Sequence, residues 1–207
     1  MVDLKEPKLM LRDLSGEKLD EVHGSGYYDY LAEPEYVENV MAAVARMILT
    51  HAGSDAVVLD AGCGTGALSP LVPPPMEYFG FDASREVIKA AWSLHGELGI
   101  PRSFNTFRIE KFLEIEVLCV FDVIHFGSVL CCLIHPAARL SLVEQYVKHC
   151  QARFIVVSDL ERLDTTPLKE RFELLEGETF HLCIPGQPDS KQHRKVEIYR
   201  TGVKRDG

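Results

Sequence analysis

The stretch from Val57 to Gly66 restricts the fold more than any other part of the chain. It begins with three apolar residues and ends with glycine at positions 62, 64 and 66. The apolar run predicts a short buried strand, and the glycines predict a tight turn directly after it. Glycine tolerates unusual φ angles and lets a ligand approach the backbone. Because open α/β sheets bind ligands outside the carboxyl ends of their strands, this turn is the first candidate binding site.

Strands and helices alternate along the rest of the chain. The apolar patterns predict strands over residues 57–59, 77–81, 104–109, 121–126 and 154–157 and helices over residues 35–52, 85–97, 136–149 and 167–175. Such alternation indicates a mainly parallel sheet with helices on both faces. Residues 179–184 and 196–200 predict a final antiparallel hairpin.

The charge and the cysteine spacing limit the partners of the protein. A net charge of −9 gives no general attraction for phosphate backbones, so we expect no nucleic-acid partner. We interpret the dense basic cluster Lys191, His193, Arg194 and Lys195 as a solvated hairpin. The six cysteines form no Cys-x-x-Cys pair, so the sequence predicts reduced thiols and no metal site.

Hydropathy predicts neither a membrane span nor a secretory signal. No apolar run reaches the ~18–20 residues that a bilayer requires, and residues 1–12 contain no apolar signal core. We therefore expect a cytoplasmic protein without a membrane partner. The sequence fixes no oligomeric state.

Two ligand chemistries compete for the glycine turn. The spacing Gly62-x-Gly64-x-x-Ala67 also matches the dinucleotide fingerprint, so an NAD(P)-dependent oxidoreductase is one alternative. Asp60 argues against a dinucleotide ligand, because a carboxylate at the turn repels a pyrophosphate and suits a ligand with an ammonium group. The proline run 70–75 also leaves little room for a long phosphate-facing helix.

Residues 58–66 closely resemble motif I of the class I S-adenosylmethionine-dependent methyltransferases. The order of elements over residues 35–200 is similar to that family too. The resemblance implies a seven-stranded, mostly parallel Rossmann-like sheet that uses S-adenosylmethionine and releases S-adenosylhomocysteine. It further implies that Asp60 helps to hold the amino group of the cofactor, often through water, and that the turn contacts its methionine part with Gly62, Cys63, Gly64 and Gly66.

Asp82 and Glu110 complete the expected cofactor site. Asp82 follows the second strand, where the resemblance implies that a carboxylate accepts both ribose hydroxyls, with Ala83 beside it. The alternative is a helix cap or turn aspartate. Glu110 is the candidate for the adenine amine, and an ordinary surface glutamate is the alternative.

His125 and Phe126 end the fourth strand and resemble motif IV, so we expect them to flank cofactor or substrate. The alternative for His125 is a buried, hydrogen-bonded core histidine. The candidate catalytic bases are His125, Asp159 and Glu161, the last two placed after the strand 154–157. Asp159 and Glu161 are otherwise loop carboxylates.

The N-terminal segment resembles the lid of small-molecule methyltransferases, with Tyr27, Tyr28 and Tyr30 closing on the substrate. A hydrophobic staple before the first helix is the alternative. We expect one domain, with residues 1–50 as lid and helix segment and residues 51–207 as cofactor-binding core. The predicted function is methyl transfer to a small molecule. Methylation of protein or RNA and S-adenosylmethionine binding without transfer stay open as alternatives.

Overall fold

A computed structural model describes residues 34–96, 102–116, 120–133, 135–184 and 187–204. Over residues 34–52 it forms one helix, α1, whose segments are Pro34–Tyr36, a π-helical turn Val37–Met41 and Ala42–Ala52. The other helices are α2 (Arg85–His95), α3 (Ile109–Phe112), α4 (Pro136–Cys150) and α5 (Thr166–Arg171). The strands are β1 (Val57–Ala61), β2 (Glu77–Asp82), β3 (Arg102–Thr106), β4 (Val123–Gly127), β5 (Phe154–Leu160), β6 (Glu173–Ile184) and β7 (Gln187–Arg200).

The seven strands form one sheet in the order β3-β2-β1-β4-β5-β7-β6. β3, β2, β1, β4 and β5 pair in parallel, whereas β7 pairs antiparallel with both β5 and β6. This confirms the prediction of a mostly parallel sheet that ends in an antiparallel hairpin. The central position of β1 places the glycine turn at the middle of the sheet edge.

Side chains alternate between the two faces of the sheet, and each face has its own apolar core. One core contains α1, whose inner face presents Val40, Val44 and Met47 to the strands. The other contains α4, with Leu142, Val143 and Tyr146. The helical periodicity of residues 37–48 is thereby confirmed, and both faces of the sheet are covered.

The third strand lies earlier than the sequence predicts. It spans Arg102–Thr106, and Ile109 begins α3 instead of ending the strand. β3 is an edge strand in which Phe104 is the buried residue. Phe107 and Ile109 pack against the opposite core from a loop and a helix, so their apolar character does not mark a strand.

The last four elements also differ from the prediction, because strand pairing extends through polar residues. β5 reaches Leu160, since it pairs with β7 as far as Arg194. α5 ends at Arg171, and residues 173–175, expected in that helix, start β6. The hairpin strands are therefore much longer than the ranges 179–184 and 196–200.

Candidate functional site

The three glycines of the turn all have positive φ, at +80° for Gly62, +55° for Gly64 and +79° for Gly66. The backbone N–H groups of Gly62 and Cys63 donate to the carbonyl oxygen of Phe81, over 2.8 and 2.9 Å. These bonds hold the turn against the carboxyl end of β2. The local sequence forms this turn because glycine adopts such backbone angles without steric cost.

The surroundings of the three glycines differ. A Cβ on Gly62 would lie 2.2 Å from Cγ2 of Val129, and one on Gly66 would lie 2.7 Å from Cε1 of Phe104. A Cβ on Gly64 would have no heavy atom within 4 Å. Gly62 and Gly66 therefore allow close packing, whereas Gly64 borders open space.

Asp82 links the turn to the next helix. Its Oδ2 accepts from the backbone N–H of Gly64 at 3.2 Å, and its Oδ1 accepts from that of Ser84 at 2.9 Å. Ser84 in turn caps α2 by accepting from the N–H of Val87 at 3.3 Å. Asp82 and Ala83 are partly exposed, so this carboxylate both shapes the turn and faces the edge where the expected ribose would lie.

Asp60 is buried beneath the turn and not at its mouth. Its Oδ2 accepts from the hydroxyl of Tyr78 at 2.6 Å, and its Oδ1 lies 2.7 Å from Nδ1 of His125. Nε2 of His125 lies 2.7 Å from Oγ of Ser158. The four residues form a hydrogen-bonded chain across β2, β1, β4 and β5, which we call the polar chain.

Burial keeps Tyr78 and Cys63 neutral. It raises the pKa of Tyr78 well above its ordinary value, and the negative charge of Asp60 raises it further. Burial, followed by the charges of Asp60 and Asp82, likewise raises the pKa of the Cys63 thiol. The turn therefore presents a thiol, not a reactive thiolate.

Glu110 lies at the start of α3, beside the carboxyl end of β3. Its Oε1 accepts from Nε of Arg108 at 2.7 Å. Its Oε2 is buried and has no hydrogen-bond partner among the described residues. A buried acceptor of this kind favours binding a donor such as an amine.

The side chains of His125 and Phe126, which the sequence places beside the cofactor or substrate, are both buried. Phe126 is fully buried in the α4 core and packs edge-on against Tyr146, with ring centroids 5.3 Å apart. His125 is 2% exposed and both of its ring nitrogens are hydrogen-bonded. His125 is thus a buried, hydrogen-bonded histidine, which is the alternative that the sequence left open.

The two candidate carboxylates at the end of β5, Asp159 and Glu161, differ in exposure. Asp159 lies inside the strand, fully buried, and accepts from the N–H groups of Cys131 at 3.0 Å and Leu160 at 2.7 Å. Burial raises its pKa, although these hydrogen bonds oppose the rise. Glu161 follows the strand, is exposed, and lies 3.3 Å from Nδ1 of His193. Only Glu161 follows the strand as predicted.

Two residues of the basic cluster of β7, Arg194 and Lys195, are buried, whereas His193 is exposed as a solvated hairpin would have it. Arg194 is 1% exposed, donates to Oγ of Ser128 at 2.8 Å and lies over the ring of Tyr36. Lys195 is 9% exposed and donates to the carbonyl oxygen of Leu163 and to Oγ1 of Thr165. The interpretation was wrong for Arg194 and Lys195, because these two residues pair with β5 and lie beneath other elements.

Sequence reasoning missed Tyr78, Ser158 and Ser128. Tyr78 and Ser158 lie in buried strands, where a polar side chain needs a hydrogen-bond partner. Their polar character within an apolar strand pattern could therefore have indicated a buried hydrogen bond. Ser128 has a φ of +55°, which its residue type does not reveal. The lid candidates Tyr27, Tyr28 and Tyr30 lie outside the described residues.

Among the described residues, no group of three or more His, Cys, Asp or Glu is arranged to hold a metal ion. No helix among them is long and apolar enough to cross a bilayer.

The family model of the methyltransferase domain matches residues 52–196. No curated protein matches the chain in sequence. Several solved structures match it in fold. Magnesium protoporphyrin IX methyltransferase from Synechocystis, with bound S-adenosylmethionine, has a TM-score of 0.66 at 15% identity and covers 90% of this chain and 97% of its own.

Two further similar structures differ in their described activities. The N-methyltransferase NodS from Bradyrhizobium japonicum, in complex with S-adenosylhomocysteine, has a TM-score of 0.61 at 16% identity and covers 80% of this chain and 88% of its own. A proposed RNA methyltransferase from Pyrococcus horikoshii has a TM-score of 0.57 at 13% identity and covers 79% and 83%. At these identities the likeness establishes a shared fold.

Proposed function

The chain belongs to the class I S-adenosylmethionine-dependent methyltransferases, and we propose that it transfers the methyl group to a small-molecule acceptor. The observation that carries this proposal is the arrangement of the glycine turn with Asp82. The backbone N–H of Gly64 is bonded to that carboxylate, and open space borders Gly64.

The residues at this edge fit the cofactor. Gly64 leaves room for its methionine half, since a Cβ there would meet nothing within 4 Å. Asp82 would hold the ribose hydroxyls, because a carboxylate accepts two hydrogen bonds at once. The unpartnered Oε2 of Glu110 would accept from the adenine amine. Asp60 lies beneath them as a buried acceptor.

The bound cofactor supplies an electrophilic methyl group on a sulfonium, which a nucleophile attacks in line. The protein then mainly has to align acceptor and donor and to exclude water. An acceptor that carries a proton also needs a base. We keep His125, Asp159 and Glu161 as candidates, of which Glu161 is the exposed one. His125 would act through Ser158, its hydrogen-bonded neighbour.

Charge supports a small acceptor over a macromolecular one. The chain has a net charge of −9, which opposes binding to a phosphate backbone. Arg194 and Lys195 are buried, so they offer no docking surface to a nucleic acid. The structural likeness to a protoporphyrin methyltransferase agrees with a small acceptor.

RNA methylation is the second candidate, because one similar structure is a proposed RNA methyltransferase. One assay distinguishes methylation of a small molecule from methylation of RNA. The purified protein is given S-adenosylmethionine and either a cell-extract filtrate that contains only small molecules or the retained RNA and protein. The release of S-adenosylhomocysteine is then measured in each reaction.

We expect turnover with the filtrate, and we expect Asp82→Ala to abolish it at limiting cofactor. Turnover with the retained RNA alone would replace the small-molecule proposal by the second candidate. Turnover with the retained protein would likewise overturn it in favour of protein methylation.

A further inference from the structure

The polar chain lies directly beneath the glycine turn, and its function is not explained by packing alone. Tyr78, Asp60, His125 and Ser158 come from four adjacent strands and are all buried, with exposed fractions of 0%, 2%, 2% and 0%. Asp60 and His125 are direct register partners in β1 and β4. Asp60 precedes Gly62 by two residues, so the carboxylate of the polar chain lies under the start of the glycine turn.

The donors and acceptors fix the protonation of His125. A carboxylate only accepts, so Nδ1 of His125 carries the proton that is shared with Asp60. With that proton on Nδ1, a neutral His125 has Nε2 as an acceptor, and the hydroxyl of Ser158 donates to it. Tyr78 stays a neutral phenol because burial raises its pKa. With His125 neutral, the four residues of the polar chain together carry one net negative charge, on Asp60.

The other titratable groups around His125 lie on the turn and on the outer strands. Cys63 of the turn is a neutral thiol, because burial raises its pKa. Asp82 ends β2, Arg102 lies near Tyr78 on β3, and Arg194 of β7 bonds Ser128. α1 covers this face with Tyr36 and with apolar side chains, among them Val40, Val44 and Met47.

We infer that His125 is a positioning residue that sets the charge beneath the cofactor and thereby the preference for donor over product. This inference rests on the proposed function. Neutral His125 leaves Asp60 as an anion, which attracts the positive sulfonium of S-adenosylmethionine but not the neutral sulfide of S-adenosylhomocysteine. Protonated His125 cancels that charge. The two ligands share every other functional group, so the ratio of their Kd values isolates this effect.

Calorimetric titration of both ligands at about pH 7.5 and about pH 5.5 tests the inference. Four variants accompany the wild type: Asp60→Asn, His125→Asn, Ser158→Ala and the control His51→Asn. Asparagine at position 125 cannot gain a proton, so that variant reports every other source of pH dependence. His51 lies at the end of α1 and pairs with Glu176.

In the wild type and in His51→Asn we expect the preference for S-adenosylmethionine to fall about tenfold on acidification, an effect of about 1.4 kcal/mol. His125→Asn keeps the preference at both pH values. Asp60→Asn lacks it at both. Ser158→Ala loses the bond that stabilises neutral His125, so its preference falls at a higher pH than in the wild type.

A wild-type ratio that does not change with pH would overturn the inference, and this measurement needs no variant to fold. Parallel pH responses of the wild type and His125→Asn would overturn it as well. In both cases the ligands still bind, so the proposed function survives. Binding of neither ligand would overturn the proposed function together with the inference.

Discussion

At the scale of single residues, the three glycines of the turn share a positive φ but serve different purposes. Gly62 is enclosed, since a Cβ there would lie 2.2 Å from Val129, whereas Gly64 is open. A non-glycine residue in left-handed backbone costs about 1–2 kcal/mol through strain alone. Strain, steric overlap and ligand contact can therefore be separated by comparing alanine variants.

Gly64→Ala should lower the free energy of unfolding by about 1–2 kcal/mol and abolish S-adenosylmethionine binding, because its Cβ enters the space meant for the cofactor. Gly62→Ala should cost more than this, since its Cβ also overlaps Val129. Gly202→Ala is the matched control, with a φ of +82° and no heavy atom within 4 Å.

The measurements are chemical denaturation and calorimetric titration of each variant. Gly202→Ala should show the strain cost and unchanged cofactor binding. If Gly64→Ala binds the cofactor as tightly as Gly202→Ala does, the open space beside Gly64 is not the binding site.

The polar chain shows what a sequence can and cannot reveal about single residues. The motif made Asp60 a site candidate, and the buried context of His125 made a hydrogen-bonded histidine an open alternative. Which partners they have depends on the register between strands that are 65 residues apart. That register is set by tertiary packing, so Tyr78 and Ser158 were not predictable as their partners.

At the scale of elements, β7 explains why Arg194 and Lys195 do not form a docking surface. The strand lies between β5 and β6, and its residues alternate between the two faces. Lys195 donates to the carbonyl oxygen of Leu163 at 2.6 Å and to Oγ1 of Thr165 at 2.9 Å. Burial lowers its pKa, although the charge of Glu197 opposes this. Its bonds join β7 to the loop before α5.

Lys195→Met should lower the free energy of unfolding by about 1–3 kcal/mol, because the carbonyl oxygen of Leu163 loses its donor while buried charges lose a partner. The exposed Lys204 provides the control, and Lys204→Met should stay within about 0.5 kcal/mol of the wild type. Urea denaturation of both variants makes the comparison. Equal stability of the two would show that Lys195 has no structural role.

The predicted elements were most accurate where burial is continuous. The strands near residues 57 and 77 and the helices starting at Pro34 and Arg85 follow apolar patterns that local sequence displays. The edge strand β3 and the ends of β5 and β6 depend on hydrogen bonds to neighbouring strands. Such pairing accepts polar residues, so the sequence alone misplaced these boundaries.

At the scale of the whole molecule, strand order explains how distant residues come to one site. β3, β2 and β1 are neighbours, so the carboxyl ends of three parallel strands bring Glu110, Asp82 and the glycine turn to one edge. Alternating strands and helices predicted this parallel arrangement. The insertion of β7 between β5 and β6 was not predictable in the same way, because a hairpin pattern does not show which of its strands pairs with the sheet.

We propose that this edge of the sheet binds S-adenosylmethionine, and calorimetric titration of the wild-type protein tests this binding. NAD and NADP serve as competing ligands, and Asp82→Ala serves as the site variant. Asp55→Ala is the control, because Asp55 is exposed and precedes β1 at the other end of that strand. We predict saturable binding of S-adenosylmethionine that Asp55→Ala keeps and Asp82→Ala weakens at least about tenfold, which corresponds to about 1.4 kcal/mol. No binding of S-adenosylmethionine, or a preference for a dinucleotide, would contradict the account.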